Sequence, residues 1–338
     1  MLRIRLCAGV LLVILILPLM LSGCKNALID EYYAPVQTME DNALPDHDSL
    51  AIVSESPMDV SLPDQTALTI LFFSDTQPDP ETADYTGFGE LLAQAVAMHE
   101  TPDIIIFGGD TVNDGGDEDE WAAFKQSAGT WLEGSITAAV AGNHDNYPLL
   151  ARQFDYPNEA PLRQGEGYYY TFDMGPAFFI MLDSNIMGAA KQEDIDWLQN
   201  ELKSSAARKA DWIIVIMHHP MWPVADNPKD FQRADTMREN FLSLLEANNV
   251  ALILCGHQHV YSRTKPMTGE AAENNGSSIV QIMAASGDKA TYTITESDYI
   301  EASASAPNYV LLKADEQSLD AVAYDREGSV IDKYTMHK

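Results

Sequence analysis

Five short motifs occur in one order along this chain, and each closes an apolar run that reads as a β-strand. They are Asp75-Thr76-Gln77, Gly109-Asp110, Gly142-Asn143-His144-Asp145, His218-His219-Pro220 and Gly256-His257-Gln258-His259. The runs before them are Leu68–Phe73, Asp103–Phe107, Ser135–Val140, Trp212–Met217 and Ala251–Cys255. Continuous apolar strands belong in sheets covered on both faces, which leaves the polar motifs at the strand ends. Candidate helices fall between them, near Gly87–His99, over Glu118–Trp131 and after Gln192, where Ile195, Leu198 and Leu202 share a face. Met237, Phe241, Leu244, Leu245 and Asn248 repeat the same helical spacing. Buried strands alternating with helices make this an α/β chain.

The tail differs. Tyr309–Lys313, Leu319–Tyr324 and Val330–Thr335 alternate like an antiparallel meander, with a turn at Arg326-Glu327-Gly328. Tyr168–Asp173 and Ala177–Leu182 form a candidate hairpin around Met174-Gly175-Pro176. No repeat of fixed period is present, and composition does not break after residue 66.

The first residues read as an address rather than as structure. Arg3 and Arg5 precede the apolar run Leu6 to Leu21, and Leu21-Ser22-Gly23-Cys24 resembles a bacterial lipobox. Residues 1–23 are then a signal peptide, and lipidated Cys24 heads the mature chain. An uncleaved membrane anchor is the alternative, disfavoured by the small residues ahead of Cys24. Residues 24–66, rich in Asp, Glu, Pro and Ser, read as an acidic tether, and 67–338 as the folded domain. The expected location is the envelope of a bacterium, with the domain held outside the cytoplasm by the Cys24 lipid. Of the other two cysteines, Cys7 lies in the signal and Cys255 ends a strand, so no internal disulfide is expected. Cys255 adjoins Gly256-His257 and is read as a buried strand residue in preference to a metal ligand.

Acidic residues outnumber basic ones 51 to 20 among 338 residues, a formal charge of −31. That argues against a nucleic-acid polymer as the natural partner, because such surfaces neutralise phosphates with Lys and Arg. It also disfavours binding anionic lipid through basic residues. A phosphorylated substrate must be drawn in locally, against the field of the whole molecule. No protein partner is evident.

Five of the eight histidines (His144, His218, His219, His257 and His259) lie inside the motifs. Asp75 and Asp110 each follow an apolar strand, where an unpaired carboxylate is costly to bury, so metal ligation explains them better than capping. Phosphate esters resist attack because nucleophile and phosphoryl oxygens are both negative. Two divalent ions about 3.5–4 Å apart overcome this by making hydroxide at neutral pH and neutralising the developing charge.

In this ligand set the chain resembles the calcineurin-like metallophosphoesterase superfamily, over roughly Leu68–Thr335. The resemblance implies a four-layer α/β/β/α sandwich with two mixed sheets and the metals at their strand ends. It implies that Asp75 binds the first metal, that Asp110 bridges both, that Asn143, His218 and His257 bind the second, and that His259 returns to the first. It also implies hydrolysis by in-line attack of a metal-bridging hydroxide. His144 would contact the phosphate and protonate the leaving group, with Asp145 orienting its imidazole. His219 would reach the phosphate too, or support the ligands from behind.

Within that superfamily, Gly256-His257-Gln258-His259-Val260-Tyr261-Ser262-Arg263 is similar to the last motif of purple acid phosphatases. So are Met217-His218-His219-Pro220, Asp183-Ser184-Asn185, Asp196–Leu202 and the tail around Tyr324-Asp325 and Gly328. Tyr261 and Arg263 are candidate pocket residues, Arg263 as a substrate contact, with packing for Tyr261 and a salt bridge for Arg263 as the somewhat favoured reading. Two departures matter. The position three residues after the bridging Asp, a metal-binding tyrosine in purple acid phosphatases, is Asn113 here, and Gln77 stands where many superfamily members have histidine. Gln77, helped by Asn113, would make a looser first site favouring Mn²⁺, Fe²⁺ or Mg²⁺ over Zn²⁺. The reading is a phosphoric ester hydrolase with two divalent ions and a small phosphorylated substrate, phosphomonoesters favoured over diesters and nucleotides. A non-catalytic surface lipoprotein that keeps the fold is the rival from another class.

Overall fold

Alternate residues of the first strand enter different apolar layers, and this strand accounts for much of the architecture. In β1 (Ala67–Phe73), Leu68, Ile70 and Phe72 join one buried cluster while Leu71 and Phe73 join another. The division follows from the two-residue period of a strand. β2 (Ile104–Phe107) repeats it, with Ile104 and Ile106 on one side and Ile105 and Phe107 on the other. The computed structural model describes residues 66–338 except 100, 133–134, 155, 158–168, 186–189 and 269–277. The expected signal peptide, Cys24 and the tether up to residue 65 lie outside the described residues.

The six-stranded sheet runs β13 (Val330–His337), β12 (Ser318–Asp325), β11 (Asn308–Asp315), β1, β2 and β3 (Thr137–Ala139). Its parallel half finishes at one edge, because Phe73 pairs with Phe107 and Phe107 with Ala139. The expected meander forms the antiparallel half. The seven-stranded sheet runs β10 (Ile300–Ala304), β8 (Tyr261–Thr264), β9 (Val280–Met283), β7 (Val250–Cys255), β6 (Trp212–Ile216), β5 (Ala177–Met181) and β4 (Tyr170–Met174). Here β5, β6, β7 and β9 are parallel and end together, with Met181 paired to Ile216, Ile216 to Leu254 and Cys255 to Met283.

Ile214, Ile216, Leu252 and Leu254 face the same central cluster as Leu68 and Ile70, so the two sheets pack face to face. Helices cover the outer faces. α1 (Thr86–Met98) and α2 (Glu118–Ala128) place Phe88, Leu91 and Phe124 against Leu71 and Phe73. Asp117 caps α2 by accepting from Asp119 N, and the acidic first turn suits the positive end of the helix dipole. The short α3 (Tyr147–Leu150) follows the third motif. α4 (Gln192–Leu202), α5 (Ser205–Lys209), α6 (Pro228–Met237) and α7 (Ser243–Ala247) lie with the second sheet, where Leu198, Met237, Phe241 and Leu245 join Ile213, Val215 and Ile253. The result is the α/β/β/α sandwich. Cys255 packs in that outer layer, which settles its role as a buried strand residue.

Two expectations need correction. The spacing from Met237 to Asn248 is not one helix, since a wide π-type turn at Arg238–Leu242 separates α6 from α7. An inserted residue of this kind shifts the apolar stripe without ending the helical path. Strands β8, β9 and β10 were not foreseen, because their segments are short and polar residues interrupt them. Gln281 sits inside β9 and is satisfied by donors from Met221 N and Trp222 N, at 2.7 and 3.0 Å. No helix among the described residues is long and apolar enough to cross a membrane.

Candidate metal centre

The chain turns sharply where the parallel strands end, and the residues that turn are the candidate ligands. Among the described residues six non-glycines have positive φ, and four of them are Asp75 (49°), Asp110 (51°), His257 (79°) and His259 (51°). L-residues adopt this left-handed region at a cost and persist there only where surrounding contacts over-determine them. Those contacts are present. Asp75 N donates to Gly109 O at 3.0 Å, and Gly256 N to His218 O at 2.9 Å. Glycine is required beside them: a Cβ on Gly142 would lie 2.1 Å from Asp110 Oδ1, and one on Gly256 2.1 Å from Asp75 Oδ2.

Two donor groups result. In the first, ligand atoms of Asp75, Asp110 and His259 lie within 4.8 Å of one another. His257 N donates to both Asp75 oxygens, at 3.0 and 2.8 Å, and Ser74 Oγ donates to Oδ2. His259 donates from Nδ1 to Ala290 O at 3.0 Å, which leaves Nε2 as a lone pair 3.5 Å from Asp75 Oδ1. The second group holds His218, His219 and His257, also within 4.8 Å. His218 Nδ1 donates to Gly108 O at 2.9 Å, so its Nε2 points inward and lies 3.4 Å from Asp110 Oδ2. His257 Nε2 donates to Asp230 Oδ1 at 2.9 Å, which leaves Nδ1 for the site. A carbonyl or carboxylate behind His218, His257 and His259 fixes the tautomer and aims the other nitrogen, as metal ligation requires.

The residues fit a pair of divalent cations. His218 Nε2 and Asn143 Oδ1 are buried with no hydrogen-bond partner, and such orphaned groups are costly unless something binds them. Asp110 belongs to the first group and faces the second, with Oδ1 accepting from His144 N at 2.9 Å and Oδ2 3.4 Å from His218 Nε2.

The electrostatics show the same demand for positive charge. Burial, reinforced by Asp110, pushes the Asp75 carboxyl up to about 7 although His218 opposes it. Burial works against a charged His218, but Asp110 outweighs it and holds that imidazole up at about 9. Asp110 is the carboxylate kept low: burial would raise it, and His218 and His144 more than compensate. Burial drives His219 and His257 down, and burial plus the Lys289 charge takes His259 to about 3, so these rings are unprotonated donors.

Residues 68–261 match the calcineurin-like phosphoesterase family. The chain belongs to that family. Calcineurin-like phosphoesterases are dinuclear-metal dependent, and the two donor groups are the candidate residues here. Among curated proteins the chain is similar to purple acid phosphatase 21 of Arabidopsis thaliana, 30% identical over 114 residues. Those residues make up 34% of this chain and 26% of the relative. It is also 31% identical over 151 residues to an uncharacterized protein of Mycobacterium tuberculosis, covering 38% of this chain and 28% of that one. Each match thus takes in less than a third of the relative's length. Among solved structures, a purple acid phosphatase from yellow lupin seeds superposes with a TM-score of 0.67 at 17% identity, covering 82% of this chain and 55% of that one. GAP50, the anchor in the inner membrane complex of Plasmodium, superposes with a TM-score of 0.61 at 16% identity, covering 81% and 89%. At such identities the likeness shows the fold.

Several sequence assignments change within this calcineurin-like site. Gln77 is not placed as a ligand: its Nε2 donates to Val112 O at 2.9 Å and its Oε1 accepts from Lys289 Nζ at 2.8 Å. An ammonium already holds the carbonyl oxygen that would have met the metal. Asn113 leaves Oδ1 buried without a partner, while its backbone carbonyl accepts from His144 Nδ1 at 2.7 Å. Asn113 O, rather than Asp145, therefore orients the His144 imidazole. The Asp145 carboxylate instead accepts from Asp110 N, Thr111 N and Gly142 N, at 2.7, 3.1 and 2.8 Å, and ties two motif loops together. His144 stands at the mouth, its side chain 37% exposed and Nε2 4.0 Å from Asp110 Oδ2.

His219 has a partner at each nitrogen, Ser184 Oγ at Nδ1 (2.9 Å) and the Arg233 guanidinium at Nε2. It supports the cluster from within and has no nitrogen left for phosphate. Arg263 is not a substrate contact either. Its guanidinium grips Asp332 on β13, at 2.6 and 3.3 Å, beside the Tyr261 hydroxyl (2.8 Å) and over the Tyr334 ring (4.6 Å). This ion pair links the two sheets. Conversely, the sequence reading missed Asp230, Arg233 and Lys289. Asp230 and Arg233 share α6, whose start was marked by Asn227-Pro228, a capping residue before a first-turn proline. Lys289 follows the unforeseen β9, a strand-end position like those of the five motifs.

Proposed function

We propose that the protein is a phosphoric ester hydrolase that works with two divalent cations on small phosphomonoesters. One observation carries this: Asp110 of one buried donor group lies 3.4 Å from His218 of the other, and His218 Nε2 and Asn143 Oδ1 lie buried without hydrogen-bond partners. Asp75, Asp110 and His259 would hold one cation, and His218, His257 and Asn143 the other. Such a pair supplies charge neutralisation at the phosphoryl group and a nucleophile from water at neutral pH. The cation identity rests on donor chemistry, and mixed oxygen and imidazole ligands suit Mn²⁺, Fe²⁺ or Zn²⁺, with Mg²⁺ at the oxygen-rich position.

The chain's own residues do the rest. The loops tied by Asp145 keep Asp110 and Asn143 in fixed relation, and the low-lying Asp110 carboxylate stays ionised. His144 at the mouth presents Nε2 toward the entering ester, with Nδ1–H committed to Asn113 O. Protonated at Nε2, it can give that proton to a leaving alkoxide. The relatives named purple acid phosphatases support the monoester reading, while the residues at positions 77 and 113 mark a departure from their pattern. The lipobox-like Leu21–Cys24 supports an envelope location with the domain anchored through Cys24.

The test is a panel of phosphomonoesters, diesters and nucleotides with Mn²⁺, Fe²⁺, Mg²⁺ or Zn²⁺ added. Hydrolysis of monoesters is expected, and Asp110→Asn should lower it by at least about 10³-fold while the fold is kept, since the carboxylate that would stand between the two cations is lost. No turnover with any metal, or full activity in Asp110→Asn, sinks the reading.

A further inference from the structure

The cation at the mouth of the first donor group comes from the protein itself. Lys289 reaches it from the loop after β9, and backbone bonds hold that loop to the first motif. Gly287 N donates to Asp75 O at 2.8 Å, and Asp288 N and Lys289 N donate to Gln77 O at 3.0 and 3.2 Å. The Nζ position is over-determined in turn. It donates to Gln77 Oε1 at 2.8 Å, and Gln77 is buried and pinned by its own bond to Val112 O. It also lies 3.2 Å from His144 Nε2, which accepts while that ring is neutral because Nδ1 donates to Asn113 O. The same Nε2 is 4.0 Å from Asp110 Oδ2. An ammonium carries three N–H donors, and two are accounted for. In a chain of formal charge −31, a half-buried cation beside the Asp110 carboxylate is the local attraction that a phosphate needs.

We propose that Lys289 is a substrate-contacting residue that donates to a phosphoryl oxygen and sets the preference for monoesters over diesters. The proposal rests on the phosphoesterase reading above. At neutral pH a monoester carries a charge of about −1.5 to −2 and a diester only −1, so a fixed cation rewards the monoester more. Lysine acts as a compact point charge, which makes charge rather than bidentate geometry the discriminating feature.

Full-length wild type, Lys289→Met and Lys289→Arg are assayed at saturating Mn²⁺ with 4-nitrophenyl phosphate and bis(4-nitrophenyl) phosphate. Metal content and melting temperature are measured alongside. For Lys289→Met, kcat/KM on the monoester should fall about 10- to 100-fold, the loss of a charged hydrogen bond, and on the diester under about threefold. Lys289→Arg should recover part of the preference. Equal losses on both esters overturn the proposal. So does tighter Mn²⁺ binding with an unchanged monoester-to-diester ratio, which would make the ammonium a stand-in for the first cation. If wild type turns over neither ester, the hydrolase reading fails, and calorimetry with inorganic phosphate on the Mn²⁺-loaded proteins still decides the contact. Weaker binding by Lys289→Met supports it, and equal binding overturns it.

Discussion

The first donor group is anionic and the second is built of imidazoles, although both sit at the ends of parallel strands. Asp75, Asp110 and His259 crowd two carboxylates together and have the Lys289 ammonium nearby. His218, His219 and His257 need no such neutralisation, and the acid near them, Asp230, stands behind His257 and aims it. Oxygen-rich sites suit harder cations and imidazole-rich sites the borderline ones, so the two cations should be held unequally and removable in sequence. Two positions cast in one mould by the fold are thus made different by what approaches from the side.

Breaking the support of one group should expose that inequality most clearly. Asp230→Asn should weaken one class of Mn²⁺ site by about 10- to 100-fold and leave the other unchanged in a calorimetric titration, as loss of an outer-shell carboxylate does. Equal weakening of both classes would show that the groups are not separable.

A second test uses pH. Native Asp75 keeps a proton up to about 7, whereas the unfolded chain releases it near 3.8. Native His218 keeps one up to about 9 against 6.5. The native state binds more protons than the unfolded state across those windows, so both contributions to stability are lost as pH rises through them in the metal-free protein. A divalent cation replaces those protons. The rise in melting temperature on adding Mn²⁺ to chelator-treated protein should therefore be larger at pH 8 than at pH 6, by about 2–4 °C. A larger rise at pH 6 would show that cation and protons do not compete.

The smallest effect lies away from both groups. Asp332→Asn should cost about 1 kcal/mol of stability at pH 7 and leave kcat within about twofold. Burial would raise the Asp332 carboxyl, but hydrogen bonds from Arg263 and Tyr261 hold it below its ordinary value. A depressed carboxylate stabilises above the unfolded value of 3.8 and loses that contribution as pH falls through the folded one. The stability gap between wild type and variant, read from urea melts, should therefore shrink in acid. A large loss of turnover in Asp332→Asn would return Arg263 to the substrate and undo the assignment made from its contacts.

Much of the site was legible because burial leaves few options for Asp75 and Asp110 at the ends of apolar strands. His218 and His257 were assigned through the resemblance of their motifs. Sequence reading failed where two polar groups compete for one partner. His144 has Asp145 next to it in sequence, yet the carbonyl of Asn113 takes its Nδ1, because three backbone donors claim the Asp145 carboxylate. For Arg263 the salt bridge is what the structure shows, but its partner, Asp332, lies 69 residues away and could not be named from the sequence. β8, which carries Arg263, and β9, which precedes the Lys289 loop, were unreadable because they contain buried polar residues whose partners are distant in sequence, as those of Gln281 and Arg263 are.

Residue types and their order along the chain determined the α/β class and the stock of ligands, and the resemblance supplied the sandwich. Two-residue alternation in the strands and the cost of burying lone carboxylates are local physics. Which cation meets which anion was settled only in three dimensions. Asp230, Arg233 and Lys289 come from α6 and the loop after β9, and hydrogen bonding and charge pairing depend on separations through space that sequence spacing does not encode.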